Sequence, residues 1–172
     1  VNILNQRNRD KIRKEFTLNP YYRNILFARG IIIVEGESEE IGVPFLLQKV
    51  GLSLEEYDIE VFNAHADTHF GMPAKIAEML NIPFVIVCDS KALPKIPEEL
   101  RPKVFNFEQD DFVNFLETEF REAYKKINKL NTINSKPQKT MMILQELRDE
   151  ETKASEKIKG LVEFLKENLK NE

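Results

Sequence analysis

The sequence predicts an α/β fold: an open parallel sheet of about four strands flanked by helices, followed by a helical C-terminal extension. Three observations carry this. Ile31-Ile32-Ile33-Val34 and Phe84-Val85-Ile86-Val87-Cys88 are continuously apolar and rich in β-branched residues, the pattern of strands buried on both faces of a parallel sheet. Strand-like runs alternate with segments of helical spacing as far as Phe107, which argues for right-handed crossovers. Beyond Asp110 the strand signal stops and apolar residues recur every three or four positions, the period of amphipathic helices.

The elements come in order. Residues 1–18 read as a basic lead-in or linker, with Arg7, Arg9, Lys11, Arg13 and Lys14 against Asp10 and Glu15. Asn19-Pro20 starts a helix over Tyr21 to Ala28 whose apolar face is Tyr22, Ile25 and Leu26, and Gly30 is expected to end it. Strand one is Ile31 to Val34. Glu35-Gly36-Glu37-Ser38 is a turn with Ser38 as candidate N-cap, and Glu39 to Val50 is a helix stopped by Gly51. Ile59 to Asn63 is strand two, Ala64 to Thr68 a polar loop and Phe70 to Leu80 a second helix. The turn Asn81-Ile82-Pro83 leads into strand three, Phe84 to Cys88. Leu93 to Pro102 holds three prolines and reads as a loop, and Val104 to Phe107 as a short fourth strand.

Phe112, Phe115, Leu116, Phe120, Tyr124 and Ile127 then line one helical face. Their spacing marks them as core rather than as platforms for stacked bases. Asn128 to Pro137 reads as a linker, and Thr140 to Leu147 and Ala154 to Leu169 as two more helices. The expected division is therefore a lead-in at 1–18, an α/β domain at 19–127 and a helical extension at 128–172.

The bulk properties bound the function. The 172 residues, 42% apolar and 31% charged, suit one globular unit with a real core. No apolar run is long enough to span a bilayer. Cys88 is the only cysteine, so an internal disulfide is excluded and a reducing, cytoplasmic setting is expected. The chain opens Val1-Asn2-Ile3-Leu4, without an initiator Met, so it is expected to be a piece of a longer protein. The net charge is −4, but it is unevenly spread. Basic residues dominate up to Arg29 and again from Arg121 to Lys139, and acidic residues dominate between Glu35 and Glu119. Such an acidic centre between basic flanks suits a metal-dependent phosphodiesterase, in which carboxylates hold cations and outlying Lys and Arg meet phosphates.

In open α/β sheets ligands bind beyond the carboxyl ends of the strands. Glu35 follows strand one, Asp89 follows strand three, and Glu108, Asp110 and Asp111 follow strand four. Glu39 lies one helical turn past Glu35 and can face the same opening. Each acid alone is as well explained as a partner of a helix dipole. Glu35, Glu39 and Asp89 together, at successive strand ends, point to a site for a hard cation, Mg²⁺ or Mn²⁺.

Ile31 through Glu39 resembles the opening signature of Toprim domains: an apolar strand, Glu, Gly and a second acid on the helix. Val85-Ile86-Val87-Cys88-Asp89 resembles the second signature. The lead-in helix, the Asn81-Ile82-Pro83 turn and Lys136-Pro137 resemble elements of the overcoming-lysogenisation-defect (OLD) endonucleases, over roughly Asn19 to Leu147. The resemblance implies a Toprim-like sheet and a DNA endonuclease using one or two Mg²⁺ or Mn²⁺ ions. In it, Glu35 and Glu39 are metal-associated, Glu35 also being a candidate general base, and Asp89 is a metal ligand. One or two of Glu108, Asp110 and Asp111 complete the cation site, and Lys136 stabilises charge on the scissile phosphate. It also implies DNA, a homodimer and an ATPase domain of the same full-length chain as partners, with no membrane.

One position departs from that pattern. Toprim domains carry Asp-x-Asp at the second signature, whereas this chain has Asp89-Ser90-Lys91. A lysine there repels a cation or substitutes for it electrostatically, so the alternative expectation is a catalytically degenerate Toprim domain serving dimerisation or DNA binding. His65, Asp67 and His69 form a weak transition-metal signal that reads first as a surface loop bordering the cleft. Cys88 reads as a small core residue. Gly36 lacks the companions of a phosphate-binding glycine loop, and the absence of a Walker A motif excludes ATP binding by that route within this sequence.

Overall fold

A computed structural model describes residues 10, 13–14, 20–65, 69–128, 135–148 and 155–169. Most of the basic lead-in, Asp67 and residues 129–134 of the expected linker lie outside the described residues. The strands are β1 (Gly30–Val34), β2 (Ile59–Asn63), β3 (Phe84–Cys88) and β4 (Val104–Asn106). They form one parallel sheet in the order β2-β1-β3-β4. β1 and β3 are the inner strands and are buried along their whole length, which is why their sequences are apolar at every position rather than at alternate ones.

Alternate residues of each strand feed opposite faces. Ile32, Val34, Val85 and Val87 join a core covered by α1 (Glu37–Lys49), α3 (Phe112–Glu119), α4 (Arg121–Asn128), α5 (Lys136–Leu147) and α6 (Glu156–Asn168). Ile31, Ile33, Phe84, Ile86 and Cys88 join a second core closed by α2 (Gly71–Leu80) and by short 3₁₀ turns. The expected α/β architecture, a four-strand parallel sheet flanked by helices with further helices at the C-terminal end, is therefore present. α5 and α6 contribute Ile143, Leu144, Leu147, Ile158, Leu161 and Leu165 to the same core as β1 and β3.

The departures from the sequence reading have local causes. Residues Pro20–Phe27 form a 3₁₀ helix, whose three-residue turn aligns Tyr22 with Ile25 and rotates Leu26 outward, so Leu26 is exposed rather than facing the core. Gly30 does not end that helix but opens β1. α1 begins at Glu37, so the N-cap is Gly36 in extended conformation and Ser38 is buried within the first turn. The run from Phe112 to Ile127 is two helices broken at Phe120, both laid on one core, which preserves the spacing. Phe107 leaves the strand, and its N–H donates to the Cys88 carbonyl at 3.1 Å. α5 starts at Lys136, ahead of the apolar pattern that begins at Thr140. Ser135 Oγ accepts from the Gln138 N–H at 3.3 Å and Pro137 sits in the first turn, a start signal written in residue type rather than periodicity. Asn81 closes α2 in the left-handed region, with the Ile82 N–H donating to the Ala77 carbonyl at 2.9 Å.

Candidate functional site

A cleft of about 370 Å³ opens beyond the carboxyl ends of β1, β2 and β3. Its floor is acidic. Glu35, directly after β1, is half-buried; Glu39, one turn into α1, and Asp89, directly after β3, are buried. Parallel register sets Val34 beside Val87, so the residues that follow these two strand ends meet across one opening. The proximity registers in the charge: the Glu39 carboxyl is pushed up to about 7, first by burial and then by the negative charges of Glu35 and Asp89, against backbone hydrogen bonds that pull it down. Asp89 is held firmly, its Oδ1 accepting from the N–H groups of Lys91 at 2.9 Å and Ala92 at 2.8 Å.

The opposite wall is built by the starts of two helices. Asp111 caps α3, Oδ1 accepting from the Asn114 N–H at 2.9 Å, while its Oδ2 lies 3.3 Å from Lys136 Nζ. Lys136, the first residue of α5, thereby lines the cleft beside Asp111, Phe112 and Pro137. Of the acids expected after strand four, only Asp111 lines the cleft. Glu108 is exposed, in the left-handed region at φ 60°, and its Oε2 pairs with Lys157 Nζ at 2.8 Å. That ion pair ties the Glu108 side chain to α6, and Glu108 does not line the cleft. Asp110 pairs with Lys91 at 3.7 Å, both side chains exposed, so the lysine at the departing signature position does not line the acidic floor.

Two cleft residues carry little signal in the sequence. Asn63 ends β2 and is buried; its Nδ2 donates to Glu40 Oε2 and its Oδ1 accepts from the His65 N–H, both at 2.7 Å. A polar residue closing the strand after Val61-Phe62 is the available clue. His65 also lines the cleft, whereas His69 is exposed outside it. Cys88 is buried beneath Asp89, and burial pushes its thiol up to about 12, in keeping with an inert core residue.

The donors facing the cleft are carboxylate oxygens, the chemistry that Mg²⁺ and Mn²⁺ prefer, and a buried acid with a raised pKa is one whose ionised form a cation would stabilise. As placed, the side chains do not enclose an ion: among the described residues no group of three His, Cys, Asp or Glu is arranged to hold one.

A family model for the TOPRIM domain of overcoming lysogenization defect protein-like proteins matches residues 26–90, the segment that runs from the lead-in helix through Asp89. Solved structures share the fold. The C-terminal region of the OLD protein of Xanthomonas campestris pv. campestris aligns with a TM-score of 0.50 at 23% identity, covering 84% of this chain and 79% of its own. The C-terminal region of the Burkholderia pseudomallei OLD protein aligns with a TM-score of 0.51 at 21% identity, covering 81% and 82%. No curated protein matches the chain.

Proposed function

Starting from a TOPRIM domain of the OLD-like type over residues 26–90, we propose that this chain is a metal-dependent endonuclease unit that hydrolyses DNA phosphodiesters. The observation that carries the proposal is the cleft itself, with Glu35, Glu39 and Asp89 on its floor and Lys136 on its far wall. Glu35, Glu39 and Asp89 would hold one Mg²⁺ or Mn²⁺, which when bound lowers the pKa of water and offsets phosphate charge. Glu35 would accept the proton of the attacking water. Lys136 meets the non-bridging oxygens of the scissile phosphate as a compact cation. Asp111 orients that lysine through the 3.3 Å pair and, having its other oxygen committed to the α3 cap, serves as a brace better than as a ligand.

The partners belong to the same reading: DNA, a second copy of the chain to cut both strands, and an N-terminal ATPase domain of the same polypeptide. The solved neighbours are themselves C-terminal regions of OLD proteins. No helix among the described residues is long and apolar enough to cross a membrane, and a cytoplasmic setting belongs to the same proposal.

A second reading, a TOPRIM domain that has lost its chemistry and serves dimerisation or DNA binding, is favoured by Lys91 at the position of the second signature Asp. Plasmid nicking with Mg²⁺ or Mn²⁺ separates the two. We expect nicking by the wild type and its loss, by about a hundredfold or more, in Glu35→Ala, Asp89→Ala and Lys136→Ala. A folded wild type that nicks nothing under either metal would replace the nuclease reading with the second.

A further inference from the structure

The cleft has a charge problem that its floor cannot solve. A phosphodiester entering it meets Glu35, Glu37, Glu39, Asp89 and Asp111, and among the described residues only two lining side chains carry basic nitrogen: Lys136 on α5 and His65 just after β2. Both line the same cleft as the acids, one on α5 and the other just after β2. His65 is exposed, and its backbone is left-handed at φ 60°, a conformation disfavoured for residues with a side chain and kept where the surroundings enforce it. Here they do. Buried Asn63 accepts the His65 N–H at 2.7 Å and is itself fixed by donating to Glu40 on α1 at 2.7 Å. The chain thus turns sharply out of β2 with the histidine at the cleft border.

We propose that His65 is a DNA-binding residue of this cleft, donating from its imidazole to a backbone phosphate next to the one facing Lys136. The proposal takes its substrate from the nuclease reading. Because the contact is to phosphate, it is indifferent to base sequence. The Asn63 tie explains why the donor stands so close to the strand end: that position is anchored to the sheet and to α1 together.

The test is the affinity of the protein for a fluorescein-labelled DNA duplex by anisotropy, with Ca²⁺ in place of Mg²⁺ so that cleavage does not intervene. His65→Asn and His65→Gly both accept a left-handed backbone, so they remove the imidazole without disturbing the turn. We expect each to bind about fivefold more weakly at an unchanged melting temperature, and His65→Arg to bind at least as tightly as the wild type. Equal affinity of wild type, His65→Asn and His65→Gly overturns the inference, as does a wild type that binds no DNA. A wild type that binds DNA but never nicks it defeats the nuclease reading alone, and the histidine is then judged on affinity.

Discussion

Glu39 shows how a single residue reports on the site. Its carboxyl rises from an ordinary 4.5 to about 7 on folding, so the folded state holds the proton more tightly than the unfolded chain. The contribution is fully present below pH 4.5 and is lost as the pH climbs towards about 7. At roughly 1.4 kcal/mol per pH unit, this amounts to at most about 3 kcal/mol. Metal-free protein is therefore expected to melt at a lower temperature at pH 7.5 than at pH 4.5. Glu39→Gln, which is neutral throughout, should flatten that part of the profile. Mg²⁺ or Mn²⁺ should raise the melting temperature of the wild type more at pH 7.5 than at pH 5. A pH profile unchanged by Glu39→Gln would show that the buried acid is not strained by its neighbours. Lys91 behaves differently. Its pair with Asp110 is exposed on both sides and contributes little to stability.

At the level of the elements, legibility tracks burial. β2 and β3 have the bounds read from the sequence, and β1 begins one residue earlier, at Gly30; the inner strands β1 and β3 write their length in apolar residues, while the edge strand β2 admits Glu60. Glu35, Glu39 and Asp89 are readable for the same reason, since the end of a buried strand fixes the place of the next residues. The pairing of Glu108 is not readable, because its partner is Lys157 on α6, 49 positions away. Asn63 is hidden because its pairing depends on Glu40, on another element, whereas His65 is legible only as part of a polar loop beside the cleft. The α5 start escapes a reading by periodicity alone, and it invites a test. Ser135→Ala removes the cap that accepts from the Gln138 N–H and is expected to cost about 1 kcal/mol. If Lys136 works from the first turn of that helix, the same variant should lower the nicking rate while leaving the DNA concentration for half-maximal rate nearly unchanged. A stability loss with full activity would detach Lys136 from the chemistry.

On the scale of the whole molecule, the helices beyond residue 128 close the core over β3 and β4. The Phe164 ring on α6 lies 5.8 Å from Phe105 of β4, and Leu161 is fully buried in the cluster that holds Ile32 and Val85. Leu161→Ala should cost about 3 kcal/mol, a large share of the stability of a domain of this size. It should shift the single melting transition rather than create a separate one. Two resolved transitions would mean that α6 folds as an independent unit.

β1 pairs on both sides, and its residues are wholly buried. Backbone amides in such a position exchange with solvent only when the molecule opens globally, whereas the helical layers can detach at lower cost. Glu35 is the next residue along the chain from that strand. Glu35 and Asp89 thus follow the inner strands of the sheet, and His65 is tied to its edge through Asn63, while Lys136 belongs to a helical layer. Excursions of the native state would then move the Lys136 border of the cleft while the carboxylates at the strand ends keep their station.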